Sequence, residues 1–325
     1  MKYFITGGSG FIGTNFISLL LQNNQNKIIN IDIKRPRNLN HEIFWKKINI
    51  CEAEALKSVL NEFKPDYVIH LAARTDLDGT TLDNYETNIR GVENLVNSIN
   101  ELQDIKRVIF FSSMLVCRLG YIPLNDHDYC PTNFYGESKV VAEKIIRKNV
   151  FPRINWTILR PTSIWGPWFD VPYRNFFDAV LKGYMILPKN FSTKRSYGFV
   201  LNTVNQMLSI LHSNKDNQIN SKTLYLCDYK PLSLTDWAYK IQRASNAPRL
   251  KFFPIIILKL ISKIGDFLKF FGFKNPPLTS SRLKNMLTNG IVVSKSLEDI
   301  CGPIKYDIDS GIKITIDWLI SLKKN

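Results

Sequence analysis

Cysteine is scarce in this sequence, and the few cysteines are not arranged in a C-x-x-C pair. Five cysteines spread over 325 residues do not form the framework of a disulfide-rich domain or a zinc site, so we expect no metal. We interpret them as small hydrophobic residues of a protein kept in a reducing cytosol. Lys2 leads directly into a predicted strand, so no signal peptide is expected and the sequence predicts a cytoplasmic protein.

Long hydrophobic runs and acidic residues are also in short supply. No apolar run approaches the roughly 20 residues that a membrane-spanning helix needs. Asp and Glu number 28 against 43 Lys and Arg, which gives a formal net charge of +15. Such a charge suits nucleic acid, a membrane surface or anionic small substrates. Because no helix-turn-helix, zinc finger or aromatic RNA-binding motif accompanies it, we expect no nucleic-acid partner.

A dinucleotide-binding fingerprint opens the chain. Residues 2–6 form a short apolar run that predicts a strand, and residues 28–32 predict a second strand ending in an acid, Asp32. Between them, a glycine turn is followed by apolar residues at helical spacing. The glycines are spaced G-x-x-G-x-x-G, in Gly7, Gly10 and Gly13. A strand, a glycine turn, a helix and a strand that ends in an acid are the context in which such a loop binds a dinucleotide.

Each part of this fingerprint predicts a contact. Gly7 makes the tight turn, Gly10 lets the backbone approach a pyrophosphate, and Gly13 lets the helix pack closely on the strand. The pyrophosphate is expected at the N–H groups and positive end of the following helix, which begins with Phe11 and Ile12.

The acid and the cations that follow it point to different cofactors. Asp32 is expected to accept hydrogen bonds from the adenosine ribose, and it would repel the 2′-phosphate of NADP. Lys34, Arg35 and Arg37 lie just beyond and could bind that phosphate. We predict NAD, because Asp32 is fixed at a strand end whereas the cations lie on a mobile turn; NADP stays as the alternative.

Strands and helices alternate in the first half of the chain, which indicates an α/β fold with a doubly wound parallel sheet (Rossmann). Ligands of such sheets bind beyond the carboxyl ends of the strands. The alternation lapses in the aromatic-rich residues 165–169. We therefore predict a dinucleotide-binding domain over 1–165 and a smaller C-terminal substrate-binding domain over 166–325. Some segments of the latter are expected to return to the sheet, and residues 223–227 predict such a strand.

The stretch most informative for catalysis is Tyr135-x-x-x-Lys139 on a predicted helix. Residues four apart share one helix face, so the Lys139 ammonium can approach the Tyr135 phenol. A free tyrosine has a pKa near ~10, and a nearby cation together with a nicotinium ring would favour the phenolate as general base. Lys139 could also hold the nicotinamide ribose. Ser113, after the fifth predicted strand, could hydrogen-bond the substrate oxygen that is oxidised.

Ser113, Tyr135 and Lys139, together with the glycine spacing, resemble the extended short-chain dehydrogenase/reductases, also called NAD-dependent epimerase/dehydratases. The resemblance covers most of the chain and implies NAD as cofactor, a nucleotide sugar as substrate and a homodimer as the assembly. Further cofactor-lining positions that it implies are Asn49, Ile50, Leu71, Ala72, Ala73, Asn88 (mainly structural) and Pro161. The substrate-binding residues that it implies are Ser113, Ser163 and Arg195, the last as a ligand of the diphosphate.

Some residues depart from the family pattern, and these departures bear on which reaction and substrate we expect. Family dehydratases and decarboxylases carry an acid just after the catalytic hydroxyl residue, whereas this sequence has Met114 and Leu115 there, which argues against dehydration. Ser163 stands where nucleotide-sugar enzymes often have Asn, and Ser196 replaces an Asp. The cofactor-binding positions of this sequence therefore match the family pattern more fully than its substrate-binding positions do.

These features favour an enzyme that oxidises a hydroxyl of a nucleotide sugar with NAD, most simply a sugar 4-epimerase. The sugar face would turn against an apolar surface made of Trp165, Trp168, Phe169 and Tyr173. The alternative is an NAD(P)-dependent dehydrogenase or reductase of a sterol-like or other alcohol. A third interpretation is a non-catalytic dinucleotide sensor, but such a protein has no need of a Ser, Tyr and Lys set.

Residues 252–273 are very apolar, with interruptions by Lys259, Lys263, Asp266 and Lys269. A helical apolar stripe is most often core, so we expect an amphipathic helix that covers the substrate-binding domain. The alternative is an interfacial helix that makes peripheral contact with an anionic membrane.

Overall fold

The computed structural model describes residues 1–273, 276, 278–292 and 294–322, and the chain divides into two compact units. The first unit contains residues 1–168, 198–229 and 293–306. The second contains residues 169–197, 230–292 and 307–325. Two later segments of the chain therefore belong with the N-terminal unit.

Strands and helices are numbered in chain order. The strands are β1 (Lys2–Thr6), β2 (Lys27–Asp32), β3 (Trp45–Lys47), β4 (Tyr67–His70), β5 (Arg107–Phe111), β6 (Trp156–Pro161), β7 (Ser163–Trp165), β8 (Ile186–Pro188), β9 (Lys194–Arg195), β10 (Tyr197–Phe199), β11 (Lys222–Leu226), β12 (Leu232–Ser233) and β13 (Lys251–Phe253). The helices are α1 (Phe11–Leu20), α2 (Ala53–Phe63), α3 (Glu86–Glu101), α4 (Phe134–Asn149), α5 (Tyr173–Leu181), α6 (Val200–His212), α7 (Asp216–Ile219), α8 (Leu234–Ser245), α9 (Ile255–Phe270), α10 (Ser280–Met286), α11 (Lys295–Cys301) and α12 (Ile308–Ser321). Short 3-10 helices span Leu39–Phe44, Leu82–Tyr85 and Met114–Val116.

The first unit is built on a parallel sheet of seven strands in the order β11-β6-β5-β4-β1-β2-β3. The direction of winding reverses between β1 and β4, which creates a crevice at the carboxyl ends of these neighbours. The strand predicted at residues 223–227 is β11, which pairs in parallel with β6. The predicted doubly wound α/β fold is confirmed.

Alternate side chains of β1 show why both faces of this sheet are covered. Tyr3 and Ile5 belong to one buried cluster, together with Phe16 of α1 and Val204 of α6. Phe4, on the opposite face, belongs to a second cluster with residues of α2 and α3. Strands that are buried on both faces read as continuous apolar runs, which is the pattern that predicted them.

The second unit contains two small sheets, with β13 parallel to β8 and β12 antiparallel to β9. Its aromatic centre is Trp237 of α8, which is fully buried. The rings packed around it are those of Tyr173, Phe176, Phe177 and Tyr197.

Helix α9, in the second unit, is the predicted helix of residues 252–273, but its orientation differs from the one we favoured. Its buried positions are Leu258, Ser262 and Gly265. Larger apolar side chains face solvent, with Leu260 59%, Ile264 60% and Phe267 62% exposed. The expectation that the apolar stripe covers the domain is therefore wrong. Among the described residues, no helix is long and apolar enough to cross a membrane.

Candidate functional site

The glycine turn after β1 is held against the turn after β4. Gly7 has φ +73°, and a Cβ atom built there would lie 2.4 Å from the Ala72 nitrogen. Its own N–H donates to the Ile31 carbonyl at 2.8 Å, so the turn is fixed to β2 as well. Only glycine combines this backbone conformation with so close an approach.

The start of α1 forms a cradle that fits a dinucleotide pyrophosphate. Gly10 is the N-cap and supplies no side-chain cap, and a Cβ built there would meet only the Gly7 oxygen, at 3.2 Å. A Cβ on Gly13 would lie 2.5 Å from the Gly8 Cα, so helix and turn are in close contact. The helix begins at Phe11, and its first-turn amides lie at its positive end. A bare backbone at a helix N-terminus is suited to phosphate oxygens.

Asp32 ends β2 beside this cradle. Its carboxylate accepts hydrogen bonds from the Ser9 N–H at 3.1 Å and the Lys34 N–H at 2.9 Å. Burial raises the pKa of Asp32, although these hydrogen bonds and the Lys34 charge lower it. Two of the three cations beyond it have other partners: Arg35 pairs with Glu42 at 2.7 Å, and Arg37 donates to the Trp168 carbonyl at 2.6 Å. This arrangement favours the unphosphorylated ribose of NAD.

The predicted adenine-flanking residues make contacts within the protein. The Asn49 Oδ1 accepts a hydrogen bond from the Cys51 N–H at 3.0 Å. Ile50 is buried, and a Cβ on Gly91 would lie 2.3 Å from its Cδ1, so its side chain packs against α3. Their contribution to cofactor binding stays a prediction.

The turn of residues 71–73 is tied to β1 through Thr6. The Thr6 hydroxyl lies 2.8 Å from Nδ1 of His70 and accepts from the Ala72 N–H at 3.3 Å. Burial, and then the charge of Lys139, lowers the pKa of His70 to about 3, so this histidine is neutral at physiological pH. His70 is thus part of the packing that orders the turn.

Asn88 of α3 holds the backbone of Arg74, directly after this turn, by hydrogen bonds. Its Oδ1 accepts from the Arg74 N–H at 2.8 Å, and its Nδ2 donates to the Arg74 carbonyl at 3.0 Å and the Ser138 hydroxyl at 2.9 Å. The side chain is fully buried. These contacts are structural, in keeping with the role that the resemblance implies.

Tyr135 and Lys139 lie one turn apart on α4, and both are buried. Asn133 caps the helix by accepting from the Gly136 N–H at 2.8 Å, which sets the orientation of its first turn. Lys139 Nζ donates to the Phe111 carbonyl at the end of β5, at 2.9 Å. Burial lowers the pKa of Lys139 to about 8, while Glu143 raises it.

The pKa of the Tyr135 phenol is raised, whereas the sequence led us to expect a nearby cation that lowers it. Burial raises its pKa to about 12, a hydrogen bond with Ser113 lowers it, and Tyr85 raises it further. Ser113 also accepts from the Leu115 N–H at 3.1 Å as the cap of a short 3-10 helix. Ser113 therefore lies within hydrogen-bond distance of Tyr135, whereas the Lys139 ammonium is directed to a backbone carbonyl.

A buried ionic network lies one helical turn beyond Lys139, and sequence reasoning missed it. Glu143 accepts from Nε and Nη2 of Arg160, at 2.9 and 2.8 Å. It also accepts from the hydroxyls of Ser112 at 2.5 Å and Tyr129 at 3.0 Å. Burial by itself would raise the pKa of Glu143, but the bonds and charge of Arg160 lower it. The available signal was the i, i+4 spacing of Lys139 and Glu143 on α4.

The remaining predicted residues are placed as follows. Pro161 ends β6 and Ser163 begins β7, and both are half-buried. In the second unit, Arg195 of β9 donates from Nε to the Thr288 carbonyl at 3.3 Å, and its Nη2 is enclosed without a hydrogen-bond partner among the described residues. Ser196 is buried and accepts from the Val292 N–H at 3.1 Å.

The predicted aromatic surface for the sugar is only partly available. Trp165 is fully buried and Phe169 is 3% exposed, so both belong to the interior of their own units. The expectation that they offer a surface to a sugar is wrong.

Comparison with known proteins places this geometry in a family. A model of the NAD dependent epimerase/dehydratase family matches residues 3–222. A 3 beta-hydroxysteroid dehydrogenase/Delta 5-->4-isomerase of Mycobacterium tuberculosis is 23% identical over 343 residues, covering 99% of this chain and 91% of the relative. A GDP-6-deoxy-D-talose 4-dehydrogenase of Aggregatibacter actinomycetemcomitans is 33% identical over 171 residues, covering 51% of this chain and 54% of the relative.

A solved structure shows the same fold. The UDP-glucose 4-epimerase of Thermotoga maritima, determined with UDP-glucose, superposes with a TM-score of 0.75 at 18% identity, over 99% of this chain and 100% of that one. The family match covers most of the chain and includes the glycine turn, the Tyr135–Lys139 helix and strands β1 to β6, which are six of the seven strands of the sheet. The chain belongs to the NAD-dependent epimerase/dehydratase family and is an NAD-dependent enzyme of the extended short-chain dehydrogenase/reductase type.

Proposed function

We propose that this enzyme acts on a nucleotide sugar by hydride transfer, most simply as a sugar 4-epimerase. The observation that carries this proposal is the Nη2 of Arg195, which is enclosed and unpartnered among the described residues. An enclosed donor without a partner is costly unless a ligand supplies the acceptor, and phosphate oxygens suit a guanidinium well. A nucleotide sugar brings such oxygens in its diphosphate, whereas a sterol does not.

The cofactor side of the proposal uses the backbone cradle and the strand ends around it. NAD, when bound, accepts a hydride from the substrate and can return it. The residues assigned to it are Gly7, Gly10, Phe11, Ile12, Gly13, Asp32, Asn49, Ile50, Leu71, Ala72, Ala73, Asn88, Tyr135, Lys139 and Pro161, of which Asn88 has a mainly structural role.

Tyr135 is the proposed general acid–base residue, and Ser113 holds the reacting oxygen. Tyr135 takes the proton of the sugar hydroxyl while the adjacent C–H bond gives up its hydride, which leaves a ketone. Because its pKa is about 12, its deprotonation needs a neighbouring positive charge, which Lys139 and the oxidised nicotinamide can supply. After the ketone has turned, Tyr135 returns the proton as hydride adds to the opposite face.

Dehydration is not part of the proposal. Ser113 is followed directly by the apolar Met114 and Leu115, which form the start of a short 3-10 helix. Neither side chain can remove or return a proton bound to carbon. The substrate therefore keeps its hydroxyl groups through the cycle, with Ser163 as a further candidate contact.

A net dehydrogenase or reductase of a sterol-like alcohol is the second candidate. The relative from Mycobacterium tuberculosis, named as a hydroxysteroid dehydrogenase, covers nearly the whole chain. The exposed apolar side chains of α9 would also suit an enzyme whose substrate comes from a lipid phase. This candidate predicts cofactor exchange at every turnover.

The two candidates are separated by the fate of the cofactor. With UDP-, GDP-, CDP- and dTDP-sugars as substrates, we expect one of the sugars to be converted to its epimer without accumulation of NADH. Chromatography measures the conversion of the sugar, and absorbance of the reduced nicotinamide measures NADH. Arg195→Ala should weaken binding of the active sugar nucleotide by about ten-fold or more, with NAD binding unchanged, whereas the exposed Arg249→Ala should not. Continuing, stoichiometric NADH production would replace the epimerase with the dehydrogenase.

The proposal also includes the assembly and location that the family resemblance implies, a homodimer in the cytoplasm. Light scattering after gel filtration tests the first, and fractionation of cells tests the second. A monomer at working concentration would contradict the proposed dimer without affecting the reaction.

A further inference from the structure

One face of α9 presents apolar side chains to solvent along its whole length. Ile256, Leu260, Ile264 and Phe267 follow one another at helical spacing and are 74%, 59%, 60% and 62% exposed. Phe271, 65% exposed, continues the same row just after the helix. Residues spaced by three and four lie on one side of a helix, so these side chains form a single stripe, called here the α9 stripe.

The opposite side of α9 explains why the stripe is turned outward. Small or short side chains occupy part of it, with Ser262 and Gly265 buried. A Cβ on Gly265 would lie 1.8 Å from the Leu278 carbonyl, so the backbone of the following segment runs directly against the helix. Leu258 packs in the cluster that includes Leu283 of α10. The close contact at Gly265 thus sets which side of α9 is buried, and the side that carries Ile264 and Phe267 faces solvent.

Cations border the α9 stripe. Lys259 and Lys263 are exposed, one turn apart, on one flank of the stripe. Residues 249–284 contain eight lysines and arginines and a single acid, Asp266. The Asp266 carboxylate accepts from the Ser280 N–H at 3.1 Å, so it is engaged with the start of α10. Lys259 and Lys263 therefore give one flank of the stripe a positive charge.

We propose that the α9 stripe rests on an anionic lipid surface, with the helix lying in the plane of the interface. An apolar row with lysines beside it matches acyl chains below and lipid phosphates at the level of the lysine ammonium groups. A second copy of the chain fits less well, because a two-fold contact through this face would bring the two lysine-rich flanks together. This inference goes beyond the proposed reaction and does not depend on it.

The test is co-sedimentation of the full chain with vesicles of phosphatidylcholine, with and without phosphatidylglycerol. We expect binding to the mixed vesicles, weaker binding to pure phosphatidylcholine, and a loss of binding as salt is raised. Ile264→Glu/Phe267→Glu should lower the partition coefficient by about ten-fold or more, since it places charge in the apolar row. Both positions are exposed, so folding should be retained, and a thermal melt checks this.

The matched control introduces the same two charges elsewhere. Ile43→Glu/Leu124→Glu changes residues that are 84% and 92% exposed and lie outside α9. It should bind vesicles as the unchanged protein does. Equal loss of binding in both variants, or no binding of the unchanged protein to mixed vesicles, overturns the proposal. So does a dimer that Ile264→Glu/Phe267→Glu dissociates in the absence of any vesicle binding, which would assign the stripe to contact between copies.

Discussion

Lys139 and Phe111 are joined by a hydrogen bond from the lysine Nζ to the phenylalanine carbonyl oxygen, 2.9 Å long. It connects the helix that carries Tyr135 to the carboxyl end of β5, directly before Ser112 and Ser113. The hydrogen bond thus fixes the spacing of the proposed catalytic set before any ligand binds. A lysine held in this way can bond a cofactor ribose with its remaining protons, since an ammonium has three donors.

Tyr135→Phe should lower turnover by a factor on the order of 10² or more while NAD binding changes little, because only the phenolic proton carrier is removed. Steady-state kinetics and calorimetric NAD titration measure the two effects. Tyr239→Phe, at a position 41% exposed, is the control and should leave both unchanged. Full activity of Tyr135→Phe would show that the proposed mechanism is wrong.

Lys139 should make the stability of the cofactor-free protein rise with pH. In the folded protein its pKa is about 8, against an ordinary value of 10.5. Between these values the unfolded chain binds more protons, so the free energy of unfolding increases with pH by up to about 1.4 kcal/mol per unit. Urea denaturation at several pH values in this window measures the slope. Lys139→Met should reduce it; an equal slope in both proteins would contradict the prediction.

Gly7→Ala should reduce stability and weaken NAD binding by about ten-fold or more. The added Cβ lies 2.4 Å from the Ala72 nitrogen, and the turn must shift away from the cradle. Gly302→Ala is a matched control, since Gly302 has φ +72° with nothing within 4 Å of the built Cβ. It should lose stability through backbone strain alone, roughly 1–3 kcal/mol for a non-glycine residue at φ +72° and ψ −167°, and should keep its affinity for NAD. Similar losses of NAD affinity in the two variants would show that the close approach to Ala72 is unimportant.

Glu143→Gln should lower the free energy of unfolding by about 3 kcal/mol, because it leaves the buried Arg160 guanidinium without its counter-charge. Both side chains of this pair are 0% exposed. Chemical denaturation measures the loss, and Glu137→Gln, at an exposed position of the same helix, is the control. A loss no larger than that of the control would mean that the pair does not stabilise the fold.

Local sequence determined the cofactor half of this protein. Glycine spacing, apolar runs of strand length and helical periodicity act over a few residues, so they predict β1, α1, β2 and the position of Asp32 without tertiary information. The spacing of Tyr135 and Lys139 likewise places both on one helix face. These features determine the fold class and the family.

Tertiary structure alone decided the partners of the buried charges and the orientation of α9. Lys139 bonds Phe111 and Glu143 bonds Arg160, residues 28 and 17 positions away, and no local period encodes such a choice. Periodicity revealed an apolar stripe on α9, but which side is buried depends on what packs against it. The backbone at Leu278 packs against the side of α9 that carries Gly265, so Ile264 and Phe267 on the other side face solvent. Burial is a property of the assembled neighbours, which is why sequence alone predicted the opposite orientation.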